Sequence, residues 1–123
     1  MVKIAIVEDE EAIAEMYKIK MLQAGYEVGV ASNGHEGLAL CEQMKPDLVL
    51  LDLMMPEMNG DEMLEKMRST DWGKDIRVII LTNVSEQEAP GKLKDFNVSA
   101  FVVKAEMTPK QVSELAKKQL LGG

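Results

Sequence analysis

Four apolar runs along the chain each end in side chains that could do chemistry. Lys3–Val7 is followed by Glu8, Asp9, Glu10 and Glu11, and Leu48–Leu51 by Asp52. Arg77–Leu81 is followed by Thr82, and Ala100–Val103 by Lys104. If these runs are strands of one parallel sheet, their ends deliver carboxylates, a hydroxyl and an ammonium to one rim. Open α/β sheets bind ligands beyond the carboxyl ends of their strands. Glu8, Asp9 and Asp52 would repel one another if left bare. A hard divalent cation that keeps some of its waters, Mg²⁺, relieves that repulsion through oxygen ligands. A carboxylate held in this way can attack a phosphoryl group in line and form an acyl phosphate. Lys104 would offset the added negative charge, and Thr82 would donate a hydrogen bond. Glu10 and Glu11 read more simply as first-turn acids that favour a helix dipole.

The elements that must position these groups follow from periodicity. Lys3–Val7 and Leu48–Leu51 are short, branched and wholly apolar, as strands buried on both faces are. Glu27–Val30 is a weaker strand, and Arg77–Leu81 and Ala100–Val103 complete five. Glu11–Ala24 reads as a helix with Ala12, Ile13, Met16, Ile19 and Leu22 on one face, stopped by Gly25. Asn33 with Glu36 starts a second helix, which runs to about Lys45 and ends before Pro46. Gly60–Met67 is a third. Ser85 with Glu88 makes a capping box for a fourth, with Pro90 in or near its first turn. Thr108-Pro109-Lys110-Gln111 opens the last, whose apolar face is Val112, Leu115, Ala116 and Leu120. This alternation predicts an α/β fold. The natural solution is a flavodoxin-like (βα)5 doubly wound sandwich around a parallel five-stranded sheet in the order 2-1-3-4-5. One domain is expected over residues 1–121, with 122–123 a C-terminal end or cloning remnant.

Bulk properties narrow the classes. A chain of 123 residues can bury a core without metal or disulfide staples. Its single cysteine, Cys41, cannot form an internal disulfide, which suits a reducing cytoplasm. A net charge of −7 disfavours direct binding to nucleic acid or anionic membranes. No apolar run approaches the ~20 residues of a membrane helix, and no signal peptide is read at the start. The ten methionines are expected to serve mostly in the core.

The pieces Ile6-Val7-Glu8-Asp9-Glu10, Asp52-Leu53-Met54-Met55-Pro56-Glu57-Met58-Asn59-Gly60, Leu81-Thr82 and Phe101-Val102-Val103-Lys104 resemble the response-regulator receiver family of two-component signalling. The match covers nearly the whole chain, and the Asp52–Gly60 stretch is its most specific part. The resemblance implies that Asp52 is the phosphoacceptor and that Asp9 ligates Mg²⁺ directly. It implies that Glu8 acts through water and that the Met54 carbonyl completes the site. It makes Thr82 and Lys104 contacts for phosphoryl oxygens, Thr82 and Phe101 switch residues, and Pro56 and Gly60 the shapers of the loop after the third strand. Met54 and Val84 would flank the path of a hydrolytic water. The phosphodonor would be a histidine kinase or phosphotransfer protein. An unknown downstream protein would read the switch, and phosphorylated copies would pair. Such a domain promotes only its own phosphorylation and dephosphorylation and is not otherwise an enzyme. Two positions depart from the family pattern. Ala105 follows the lysine where proline is usual, so a cis bond there, costing about 2.5–4 kcal/mol, is not expected. Asn83 follows the threonine where a small residue is usual. The competing readings are a pseudo-receiver that only binds protein and a flavodoxin-like electron carrier. Glu8–Glu11 argue against the carrier, because they would repel a flavin phosphate.

Overall fold

In a computed structural model that describes residues 1–122, the sheet is as the alternation predicts. Strands β1 (Lys3–Val7), β2 (Glu27–Ala31), β3 (Leu48–Leu51), β4 (Arg77–Thr82) and β5 (Ala100–Val103) pair in parallel in the order β2-β1-β3-β4-β5. The register is continuous across the centre, with Ile6 beside Val30 and Leu50, and Leu50 beside Ile79. Helices α1 (Glu11–Gln23), α2 (Gly34–Met44), α3 (Gly60–Arg68) and α4 (Pro109–Gly122) cover the two faces. Gly122 is the last residue of α4, and Gly123 lies outside the described residues.

Period-two alternation along the strands divides the core. Ala5, Val7, Val49, Leu51, Val78 and Ile80 point to the side of α2 and α3, where Cys41, Met63, Leu64 and Met67 pack on them. Ile4, Ile6, Leu48, Leu50, Ile79 and Leu81 point to the other side, against Ala14, Tyr17, Met21, Val112 and Ala116. At roughly 1.5–3 kcal/mol for each large aliphatic side chain enclosed, these two layers hold the molecule. Five of the ten methionines, Met21, Met55, Met58, Met63 and Met67, are core residues. Cys41 is enclosed and unpaired, and burial pushes its thiol up to about 12.

Two expectations need correction. The buried side of α1 is Ala14, Tyr17 and Met21. Met16, Ile19 and Leu22, expected inside, are 46, 46 and 49% exposed. Both sides of this helix carry apolar residues, so periodicity alone could not choose between them. The second correction concerns the expected fourth helix. Ser85 and Glu88 do form their cap, the Ser85 hydroxyl donating to Glu88 Oε1 at 2.8 Å and the Glu88 N–H to Ser85 Oγ at 3.3 Å. The chain then makes turns and continues as a short 3-10 helix, Gly91–Phe96. Pro90 is the reason. It stands in an extended conformation (φ −56°, ψ 130°), and a proline has no N–H to continue an α-helix. The other caps form as read. Asn33 accepts from the Glu36 N–H at 2.9 Å. Thr108 and Gln111 cap each other reciprocally ahead of α4, at 2.8 and 3.2 Å. Gly25, at φ +93°, ends α1.

Candidate functional site

The carboxyl ends of β1, β3 and β5 place Glu8, Asp9, Asp52 and Lys104 together. The first two follow Val7, and the Asp52 N–H donates to the Val7 carbonyl at 3.0 Å, which ties the end of β3 to the end of β1. The loop after Asp52 is shaped by close packing. A Cβ on Gly60 would lie 2.1 Å from the Asp52 carbonyl oxygen, so only glycine fits there. The Gly60 N–H donates to the Leu53 carbonyl at 3.0 Å. Glu57 adopts φ +67°, the side chain of Met58 turns inward at 5% exposure, and Asn59 Oδ1 accepts from the Met55 N–H at 3.4 Å. The phosphoacceptor candidate is thus set on a rigid turn, and the Met54 N–H reaches back to Asp52 Oδ1 at 3.3 Å.

Oxygen atoms of Glu8, Asp9 and Asp52 all lie within 4.8 Å of one another. Glu8 and Asp52 are buried, and Asp9 faces solvent. The Lys104 ammonium donates to Asp52 Oδ2 at 3.3 Å and pairs closely with Glu8 Oε1. Two of the three acidic side chains, Glu8 and Asp52, therefore share one cation. Burial, and then its contact with Asp52, push the Glu8 carboxyl from 4.5 up to about 8, and Lys104 offsets this only in part. Burial would lower the pKa of Lys104, but its hydrogen bond to Glu8 and the charges of both carboxylates raise it overall. Glu8 Oε2 is buried with no hydrogen-bond partner. Such an orphan is costly, and a hard cation bridging the three residues would satisfy it. The donor set is all oxygen and fits Mg²⁺.

Thr82 ends β4 fully buried beside Val103, and its Oγ1 accepts from the Val84 N–H at 3.4 Å. Phe101 pairs with Ile80 and is half-buried on the α2/α3 side of the sheet. With Ala89, Leu93 and Val98 it lines a cavity of about 560 Å³ beneath the 3-10 segment. Every described peptide bond is trans, including Lys104–Ala105, and Lys104–Glu106 form a single 3-10 turn. Asn83 is exposed. Reading the sequence missed Tyr17, whose ring is buried against the rim and, with Ile13, Met16 and Met107, borders a cavity of about 280 Å³ beside Lys104. Burial raises the pKa of its phenol, and the field of Lys104 opposes that. Its only signal was an aromatic residue within the Glu11–Ala24 segment.

Residues 4–116 match the response regulator receiver domain family. The chain belongs to that family. Its receiver domain is 35% identical over 100 residues to the DNA-binding dual master transcriptional regulator RpaA of Synechocystis, covering 81% of this chain and 41% of that protein. It is 37% identical over 114 residues to the transcriptional regulatory protein YkoG of Bacillus subtilis, covering 91% and 46%. The chain thus spans less than half the length of these curated relatives. Among solved structures, the chemotaxis response regulator CheY4 of Vibrio cholerae superposes with a TM-score of 0.87 at 27% identity, over 97% of this chain and 98% of that one. The response regulator TrrA of Thermotoga maritima, solved with Mg²⁺ and BeF, superposes at 0.82 with 33% identity, over 97% and 99%. Receiver domains are signalling modules of two-component systems rather than classical enzymes. No helix among the described residues is long and apolar enough to cross a membrane.

Proposed function

We propose that this receiver accepts a phosphoryl group on Asp52 from a histidine kinase or phosphotransfer protein, and that the modification switches a partner-binding face. The observation that carries the reading is the convergence of Glu8, Asp9 and Asp52 at the sheet rim, with the Lys104 ammonium paired to Glu8 and Asp52. Mg²⁺, held by Glu8, Asp9, Asp52 and the Met54 carbonyl, would supply the charge neutralisation that the three carboxylates lack. Asp52 Oδ attacks phosphorus in line, the bond to the donor breaks, and the phosphoryl group stays on the carboxylate. Lys104 now pairs with Glu8 and Asp52, and is poised to turn to the phosphoryl oxygens. Thr82 contributes its hydroxyl from the next strand. Phe101 has room to move, because it borders the large cavity under Gly91–Phe96. The output surface is then the face of that 3-10 segment, β5 and α4, where a downstream protein, or a second phosphorylated copy, would dock. A cytoplasmic setting and the absence of direct nucleic-acid or membrane contacts belong to the same proposal. The solved complex of TrrA with Mg²⁺ and BeF supports the cofactor by analogy.

The test is intact mass after incubation with Mg²⁺ and acetyl phosphate. The wild type should gain one phosphoryl group, and Asp52→Asn none. Equal gain in the variant would remove Asp52 from the role. A folded wild type that gains none with any donor would favour the pseudo-receiver reading.

A further inference from the structure

The parallel register that gathers the reactive groups at the carboxyl ends of the strands gathers a second set at the amino ends. Tyr26 precedes β2, Val2 precedes β1, Asp47 precedes β3 and Arg77 opens β4, so the four follow one another across the sheet. Lys117, Leu120 and Leu121 come from the last turns of α4. These residues line a cavity of about 380 Å³ that shares no residue with the reactive rim. Its wall is mostly apolar and carries a few charged groups, as the walls of small-molecule sites do. Leu121 is 77% exposed, so the apolar part of the wall is not yet covered.

Charge decides what fits. Arg77 is partly buried, yet neither it nor Lys117 forms an ion pair among the described residues. A guanidinium drawn partly out of water and left unpaired is a ready partner for an anion. Asp47 does not fill that role. Its Oδ2 accepts from the Lys3 N–H at 2.8 Å, and its own N–H donates to the Lys3 carbonyl at 2.8 Å. The lining therefore keeps a surplus of one positive charge, in a chain whose net charge is −7.

We propose that this cavity binds a small amphiphile with one carboxylate and an apolar chain. The carboxylate takes paired hydrogen bonds from the Arg77 fork, with the Lys117 ammonium as a second positive charge. The chain lies on Val2, Tyr26, Leu120 and Leu121 and removes their apolar surface from water. A single negative charge matches the single surplus, whereas a dianionic phosphate head would also be repelled by Asp47. The proposal does not depend on the role of Asp52.

The experiment titrates octanoate, octanol and octyl phosphate into isotopically labelled protein and follows the backbone amides by NMR. Octanoate should shift Val2, Tyr26, Arg77 and Leu120 in one saturable step, while Asp9, Met54 and Phe101 stay in place. Octanol offers Arg77 no charge and should bind about tenfold more weakly. Octyl phosphate should also bind more weakly than octanoate, and Asp47→Asn should narrow that gap. Arg77→Gln should weaken octanoate about tenfold, and Lys117→Gln about threefold. Lys117 is exposed on α4, so its variant keeps the test open should Arg77→Gln fail to fold. Lys110→Gln, at the other end of α4 and outside the cavity, should leave binding unchanged. Octanoate shifts that do not saturate or that centre on another surface overturn the inference. So does octanol that binds as tightly as octanoate, or a Lys117→Gln variant with wild-type affinity.

Discussion

The connection after β3 and the connection after β4 both leave the reactive rim, yet they are built differently. Leu53–Asn59 is held by contacts that admit no slack: Gly60 against the Asp52 carbonyl, Met58 turned into the core, and Glu57 in a left-handed conformation. The connection after β4 carries a surface cap at Ser85 and Glu88, a break at Pro90 and a short 3-10 helix over a large cavity. Polar tethers to α3 hold it. Arg68 Nε donates to the Phe96 carbonyl at 2.7 Å, and its other nitrogens reach the Gly73 and Asn97 carbonyls at 2.8 and 3.3 Å. Lys92 pairs with Glu65 at 3.1 Å and Asp61 at 3.4 Å. Packed contacts fix a side chain in place, whereas a few directional tethers let a segment open at small cost. The first connection holds Asp52 in place, and the second is the more loosely held of the two.

Breaking the rigid side should have the largest effect. Gly60→Ala pushes a methyl into the Asp52 backbone and should cost about 3 kcal/mol in urea unfolding, with phosphorylation from acetyl phosphate nearly lost. An alanine variant of wild-type stability would show that the loop can relax. Next is Lys104→Met, which leaves buried carboxylates without their cation. It should cost about 3 kcal/mol in metal-free buffer and clearly less with saturating Mg²⁺. An equal loss in both buffers would mean that lysine and metal do not compensate the same charges. Glu8 adds a pH test to this pair. Folded, it holds its proton up to about pH 8, against 4.5 when unfolded. The metal-free protein should therefore lose stability as pH rises from about 4.5 towards 8. Mg²⁺ binding, measured by calorimetry, should strengthen over the same window, and Glu8→Gln should flatten both trends.

Smaller effects probe the second connection. Arg68→Ala removes charge-assisted bonds to three carbonyls and should cost about 2 kcal/mol. Amide exchange should speed up in Gly91–Asn97 while Leu53–Asn59 stays protected. Uniform acceleration would deny that the two connections open independently. Lys92→Ala should be barely measurable in unfolding, because its ion pairs are on the surface, and any exchange change should stay within the 3-10 segment.

The strands, the polar side chains that follow or end β1, β3, β4 and β5, the caps at Asn33 and Thr108 and the order of the sheet were legible in the residues alone. Each rests on local chemistry: short branched apolar runs pair as buried strands, and short polar side chains satisfy free N–H groups at helix starts. The Asp52–Gly60 stretch also pointed to its family by residue type and spacing. Other features needed the folded molecule. Helix α1 carries apolar residues on both sides, so only the sheet beneath it decided that Tyr17 and Met21 go inward and Met16, Ile19 and Leu22 outward. At the fourth helix two local signals conflicted, the Ser85–Glu88 cap and the Pro90 break, and the missing N–H of proline prevailed. Lys104 and Glu8 are 96 residues apart. Their ion pair, the orphaned Glu8 oxygen and the raised Glu8 pKa exist only because the parallel sheet brings the ends of β1, β3 and β5 to one buried rim. Charge and hydration there depend on what surrounds a group in space, and the linear order of residues does not contain that.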